Sequence, residues 1–168
     1  MTMKIQLVIS LAALVVGPSL LEAHGKKHVH DEADMTISID GKKVVVDFES
    51  PAHPMYGFER EPKDAKEMAR REAAVQKLVK EIGTIVNFDA ALGCKLKSHD
   101  VKPLVSQDGD HGELEATFNF ECKSALKGKG AFVKIAPFFP EIKTLDIAVV
   151  GDKQNSYEAG KNGVRGEF

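Results

Sequence analysis

Residues 113–122 alternate without a break. Leu114, Ala116, Phe118, Phe120 and Cys122 fall on one side, and Glu113, Glu115, Thr117, Asn119 and Glu121 on the other. Side chains of an extended chain point alternately to opposite faces, so this pattern is a β-strand with one apolar face. Its other face is acidic and polar, which calls for a sheet packed on one side and wet on the other. A lone strand cannot bury an apolar face, so the rest of the chain must supply neighbours and a cover.

Both are legible. Met35, Ile37 and Ile39 alternate, as do Val44, Val46 and Phe48, and Asp40-Gly41 stands between them. An Asp-Gly pair between alternating runs predicts a two-residue hairpin, because both turn positions favour positive φ. Residues 94–101 read as a half-exposed strand carrying Lys95 and Lys97, and residues 103–112 as a polar loop. Ser50-Pro51-Ala52-His53-Pro54 ends a strand and opens a loop, since neither proline can donate to a ladder. The cover is residues 63–82, where Ala65, Met68, Ala69, Val75, Leu78, Val79 and Ile82 recur at three- and four-residue steps. That is an amphipathic helix, with Pro62 near its start, Gly83 as its stop, and Glu67–Arg71 and Lys77–Glu81 as i,i+4 pairs. Residues 84–88 form a short apolar run of either type. Later strands are expected at 131–135, 144–150 and 156–159, with a single helical turn at 137–140. The fold class is α+β: an antiparallel β-sheet of five to seven strands with one long amphipathic helix packed on it.

The length of 168 residues suits one domain, and 43% hydrophobic residues suffice for a core. Lys4 precedes an apolar run at residues 5–16, and Leu21-Glu22-Ala23 ends in a small residue. These are the parts of a secretory signal peptide, expected to be cut after Ala23. The run is too short to span a bilayer, which takes about 20 apolar residues. The organisation expected is therefore a signal peptide at 1–23, a histidine-containing arm at 24–34 and a single domain at 35–168. The expected location is the periplasm, without membrane insertion after cleavage.

Cys94 and Cys122 are the two cysteines. An oxidising compartment favours a disulfide between them over a cysteine metal site, since neither has a Cys or His neighbour at ligand spacing. If strands 94–101 and 113–122 pair as a hairpin, the two meet at its open end.

Three of the six histidines lie in His24-Gly25-Lys26-Lys27-His28-Val29-His30-Asp31. His28 and His30 share one face of an extended chain, so both can reach one ion, and neutral imidazole suits zinc, copper and nickel. His111, beside Asp108 and Asp110, is the other expected ligand group. The competing reading is a polar arm and a turn-forming loop whose histidines are surface groups. If His24 becomes the N-terminus, its amine and imidazole together favour copper. His53 and His99 read as surface residues.

A formal charge of −2, from 23 basic and 25 acidic residues, offers no basic face for nucleic acid. No Gly-x-Ser-x-Gly elbow and no His-Glu-x-x-His are present, and Gly128 and Gly130 lack the strand-then-helix setting of a phosphate loop. No enzyme chemistry is expected.

Several segments, taken in order, carry a family likeness. They are His28-Val29-His30 before the first strand, Asp40-Gly41, Ser50-Pro51-Ala52, Gly57-Phe58-Glu59, Gly93-Cys94-Lys95-Leu96, His111 through Cys122, Phe139-Pro140 and Leu145 through Val150. In these the chain resembles the DUF2796 family of small exported bacterial proteins, the ZrgA-like periplasmic zinc-binding proteins. The resemblance implies a zinc-binding accessory protein that captures metal for uptake, with an envelope metal importer or another envelope protein as partner. Relatives often carry many His and Asp residues between the cysteine-bearing strands, where this chain keeps Asp108, Asp110 and His111. They also tend to have His after Gly-Phe-Glu, where this chain has Arg60. Fewer ligands imply a modest site. The alternative is an envelope interaction module using Met55, Tyr56, Phe58, Phe138 and Phe139, with metal incidental.

Overall fold

The computed structural model describes residues 31–168 apart from Asp108 and Asp110. A six-stranded sheet holds β1 (Glu32–Asp40), β2 (Lys43–Pro51), β4 (Lys95–Val105), β5 (Gly112–Glu121), β7 (Thr144–Val150) and β8 (Gln154–Ala159), in the order β4-β5-β2-β1-β7-β8. A second sheet, β3-β6-β9, is built from β3 (Val86–Phe88), β6 (Gly130–Val133) and β9 (Val164–Glu167). Two helices, α1 (Ala52–Tyr56) and α2 (Ala65–Ile85), complete the α+β fold.

The β1–β2 hairpin turns at Asp40-Gly41, where Gly41 takes φ 59° with open space around its missing side chain. Its register pairs Ile37 with Val46 and Met35 with Phe48, and β5 continues the row with Phe118 opposite Val46. These side chains are buried, as are Leu114, Ala116 and Phe120, so the alternation of residues 113–122 maps directly onto the core face. The residues of the opposite face of the large sheet are exposed or half-buried among the described residues.

Four sequence expectations need correction. The large sheet is mixed, because β1 pairs with β7 in parallel. The helix runs past Gly83 to Ile85. Gly83 costs about 1 kcal/mol relative to alanine, but Ile82, Ile85 and Val86 are all buried and hold the last turn in place. Residues 52–56, expected as loop, form α1, whose Ala52, Met55 and Tyr56 are buried. The strand expected to end at residue 101 extends through Pro103 to Val105, which is tolerated because β4 is an edge strand. β9 carries no periodic signal and is held by β6.

Only the C-terminal half of α2 is packed. Ala74, Leu78, Ile82 and Ile85 are buried, whereas Ala65 and Ala69 are exposed and Met68 is 43% exposed. The helix starts at an Asp64 cap, whose carboxylate accepts from the Glu67 amide at 2.8 Å. The small sheet joins the large one through Phe88 and Phe120, edge to face at 5.3 Å between centroids. Within it, Asp89 accepts two bonds from Arg165 (2.8 and 3.0 Å) and one from the Gly130 amide. The turn expected at 137–140 is present, with the Phe138 and Phe139 amides both donating to the Ile135 carbonyl.

Cys94 and Cys122 are joined, closing the open end of the β4–β5 hairpin. No free cysteine is present.

Candidate metal centre

One end of the large sheet gathers the polar chemistry. The chain enters β1 with the Asp31 carbonyl accepting from the Lys143 and Thr144 amides at 2.8 and 3.3 Å. Asp34 lies opposite Glu49 and Glu32 opposite Thr144, so β1 starts where β2 ends and β7 begins. Pro51 faces Glu113, and Gly112 faces Val105, which places the β4–β5 connection, residues 106–111, at the same end. Neighbouring strands lie about 4.8 Å apart, so the starts of β1 and β5 are separated by roughly 10 Å.

His111 sits where that connection meets β5. Its backbone is held by reciprocal bonds to Ser106: the His111 amide donates to Ser106 Oγ (3.1 Å), and the Ser106 amide donates to the His111 carbonyl (2.8 Å). The imidazole Nδ1 stands 3.7 Å from Glu59 Oε2; His111 is 72% exposed and Glu59 only 15%. Glu59 is kept there by a backbone contact. A Cβ on Gly112 would lie 2.6 Å from the Glu59 carbonyl oxygen and 2.9 Å from its Cα, so only glycine lets the two segments approach this closely.

Of the other sequence-singled histidines, His53 at α1 places Nδ1 3.7 Å from Glu141 Oε2, both groups well exposed. His99 lies over the Phe118 ring at 6.5 Å, on the edge strand and outside this cluster. His24, His28, His30, Asp108 and Asp110 lie outside the described residues. Among the described residues no three His, Cys, Asp or Glu side chains converge as a metal site. The structure therefore brings together one expected ligand, His111, and one that sequence reasoning did not single out, Glu59.

A profile of ZrgA family zinc uptake proteins matches residues 27–164. The chain belongs to the ZrgA family. Comparison with curated proteins finds no match. The matched span includes His28, His30, Glu59 and His111, and the family is one of zinc uptake, not of enzymes. The Cys94–Cys122 disulfide is consistent with an extracytoplasmic location. No helix among the described residues is long and apolar enough to cross a membrane.

Four of the five residues considered as contacts of an interaction module are buried in this ZrgA family member. Met55, Tyr56, Phe58 and Phe139 are each 7% exposed or less, and Phe138 is half-buried. Burial pushes the Tyr56 hydroxyl up to about 12, so it stays protonated at any physiological pH.

Arg60, next to Glu59, is committed to the start of α2. Its guanidinium donates to both Glu67 oxygens at 2.7 and 2.9 Å, and the Lys63 amide donates to the same carboxylate. The expected Glu67–Arg71 pair is replaced by this one, while Arg71 meets Glu61. The expected Lys77–Glu81 pair is also absent: Lys77 donates to the Phe138 carbonyl and Glu81 meets Lys80. Arg60, then the Lys63 amide, lowers the Glu67 carboxyl to about 2. A depressed carboxyl stabilises the fold above its unfolded value of 4.5 and loses that contribution as pH falls through about 2. Carbon-detected NMR titration should find the Glu67 midpoint near 2, and Arg60→Ala should return it towards the ordinary range. A wild-type midpoint above 4 contradicts this pairing.

Gly112→Ala is expected to force the Glu59 backbone away from β5 and to cost about 1–3 kcal/mol, as overpacking does. Urea unfolding measures the cost, and loss of the His111–Glu59 proximity in NMR reports the displacement. An unchanged unfolding midpoint contradicts the contact.

Proposed function

We propose that this ZrgA family protein is a zinc-capturing accessory of the cell envelope, exported by residues 1–23 and binding metal where residues 24–34 meet the end of the domain at 35–168. The observation that carries this reading is the shared sheet end: β1 begins about two strand spacings from the His111–Glu59 pair. An extended chain covers about 3.3–3.6 Å per residue, so His28, four residues before Glu32, can cross that gap.

The ligand set is His28 and His30 from the arm with His111 and Glu59 from the domain. Zinc favours four nitrogen, sulfur or oxygen ligands in a tetrahedron, and three imidazoles with one carboxylate meet that preference. Asp108, Asp110 and His24 are supplementary donors, and His24 at a cleaved N-terminus would add copper affinity. Half of the set is carried on the arm, which makes capture reversible and release to an importer feasible. Imidazole binds metal only when unprotonated, so capture weakens as pH falls through about 6.

Calorimetry of the exported protein at pH 7.5 tests the reading. One zinc per chain at micromolar metal is expected, with uptake much reduced at pH 5.5. No uptake at pH 7.5 overturns it.

A further inference from the structure

The two strands that flank β1 each lead to a zinc-ligating side chain near its start. β1 lies between β2 and β7. His53 sits on α1, just past the end of β2, and Glu141 stands three residues before β7 begins. The two come from opposite sides of β1 and meet: His53 Nδ1 is 3.7 Å from Glu141 Oε2. That separation is too long for a hydrogen bond. Donors at 2.0–2.2 Å from one tetrahedral zinc stand roughly 3.3–3.6 Å apart, so the gap is close to the span of an ion. Both side chains are more than half exposed and open to an incoming metal. Their backbones, by contrast, are anchored. Ala52 and Met55 are buried on either side of His53, as are Phe139 and Ile142 on either side of Glu141. The Ile142 amide donates to the Phe139 carbonyl and Lys143 Nζ to the Pro140 carbonyl, which holds the turn that carries Glu141. Ligands on anchored backbone keep their geometry when the ion is absent.

We propose that His53 and Glu141 form a second zinc position, completed by His30 at the root of the arm. Asp31 is fixed beside β7, its carbonyl accepting from the Lys143 and Thr144 amides. His30 is the residue before it, with the two Cα atoms about 3.8 Å apart, and Glu141 is two residues before Lys143. His30 therefore starts within about one strand spacing of this pair, whereas His111 stands at the start of β5, two strands from β1. Two imidazoles and one carboxylate satisfy zinc and leave a fourth place for water or an acceptor group. The pair borders a hollow of about 400 Å³ that Arg70 and Lys77 also line. Lys77 gives its ammonium to the Phe138 carbonyl. Positive charge nearby weakens the hold on a divalent cation, which suits a position that passes its ion on. His30 also serves the His111–Glu59 position, so the two are filled alternately and the chain holds one ion at a time.

This second position rests on zinc being the cargo proposed above. The test is zinc calorimetry at pH 7.5 on the protein as exported. His111→Ala with Glu59→Gln should still bind one zinc, about 10–100-fold more weakly than the parent. Adding His53→Ala and Glu141→Gln should weaken that remaining binding by about tenfold or more. In the first variant zinc should also shift the His53 ring signals in long-range proton–nitrogen NMR spectra. An unchanged urea midpoint of the zinc-free variants shows that their folds are intact. Residual binding that is indifferent to His53 and Glu141 overturns the second position. So does the absence of residual binding while the parent takes up zinc, and the first position then stands alone. If His53→Ala with Glu141→Gln abolishes zinc binding and His111→Ala with Glu59→Gln changes nothing, the ligand set proposed above fails and this one stands. A parent that binds no zinc sinks both.

Discussion

Replacing His28 and His30 together with alanine is expected to weaken zinc binding by about 100-fold or more. Even changes to groups that only orient metal ligands cost 10–100-fold, and here two ligands are removed. The same substitutions should leave the unfolding midpoint of the zinc-free protein unchanged, because both positions precede β1, which starts at Glu32. His111→Ala should weaken zinc binding from the domain side, with Glu59→Gln as the companion variant that keeps size while removing charge. Calorimetry with zinc at pH 7.5 measures all three. If the double arm variant binds zinc as tightly as the parent, the arm is not part of the site, and the His111–Glu59 pair must find its other ligands elsewhere.

Removing the disulfide, by Cys94→Ser with Cys122→Ser, is expected to destabilise the domain by about 3–4 kcal/mol. That figure is the chain-entropy value for a loop of this size, the two cysteines being 28 positions apart. It is a large share of the 5–15 kcal/mol that holds a typical domain together. The loss should be felt at the edge of the sheet, because the bond ties the start of β4 to the end of β5 and β4 is the edge strand among the described residues. Urea unfolding of the variant should show a lower midpoint; a shift worth less than about 1 kcal/mol would mean that the β4–β5 ladder holds without the bond. His111 lies at the opposite end of the same hairpin. Its pairing with Glu59 should therefore survive in the variant at low denaturant, which separates a stabilising bond from one that shapes the site.

Much of the frame is legible in the chain because it depends on short-range pattern. Asp40-Gly41 between two alternating runs specifies the β1–β2 hairpin, since turn geometry and side-chain alternation agree. The alternation of residues 113–122 specifies which face of β5 is buried, and the cysteines placed at the hairpin's open end are joined. The helix itself follows from its three- and four-residue spacing, although its first half is exposed where the pattern called for burial. That error is informative: Ala65, Met68 and Ala69 are apolar at the right spacing, but they are exposed among the described residues.

Other features depend on contacts between residues far apart in the chain. The parallel pairing of β1 with β7 puts Asp34 beside Asp146, more than a hundred positions away, and no local pattern records it. Gly83 is a helix stop by propensity, yet burial of Ile82 and Ile85 outweighs its cost of about 1 kcal/mol. Pro51 and Pro54 bracket a helical turn because Ala52, Met55 and Tyr56 find a place in the core.

The same division runs through the candidate site. By itself the sequence determined the residue types that can hold zinc, the arm of His28 and His30 and the lone His111, because ligand chemistry belongs to side chains and needs no fold. Only the tertiary structure decided that His111 stands 3.7 Å from Glu59, a residue 52 positions earlier whose role no spacing rule announces. The physical reason is Gly112. Its missing side chain lets two remote backbone segments touch, and the His111–Glu59 pair lies where they do.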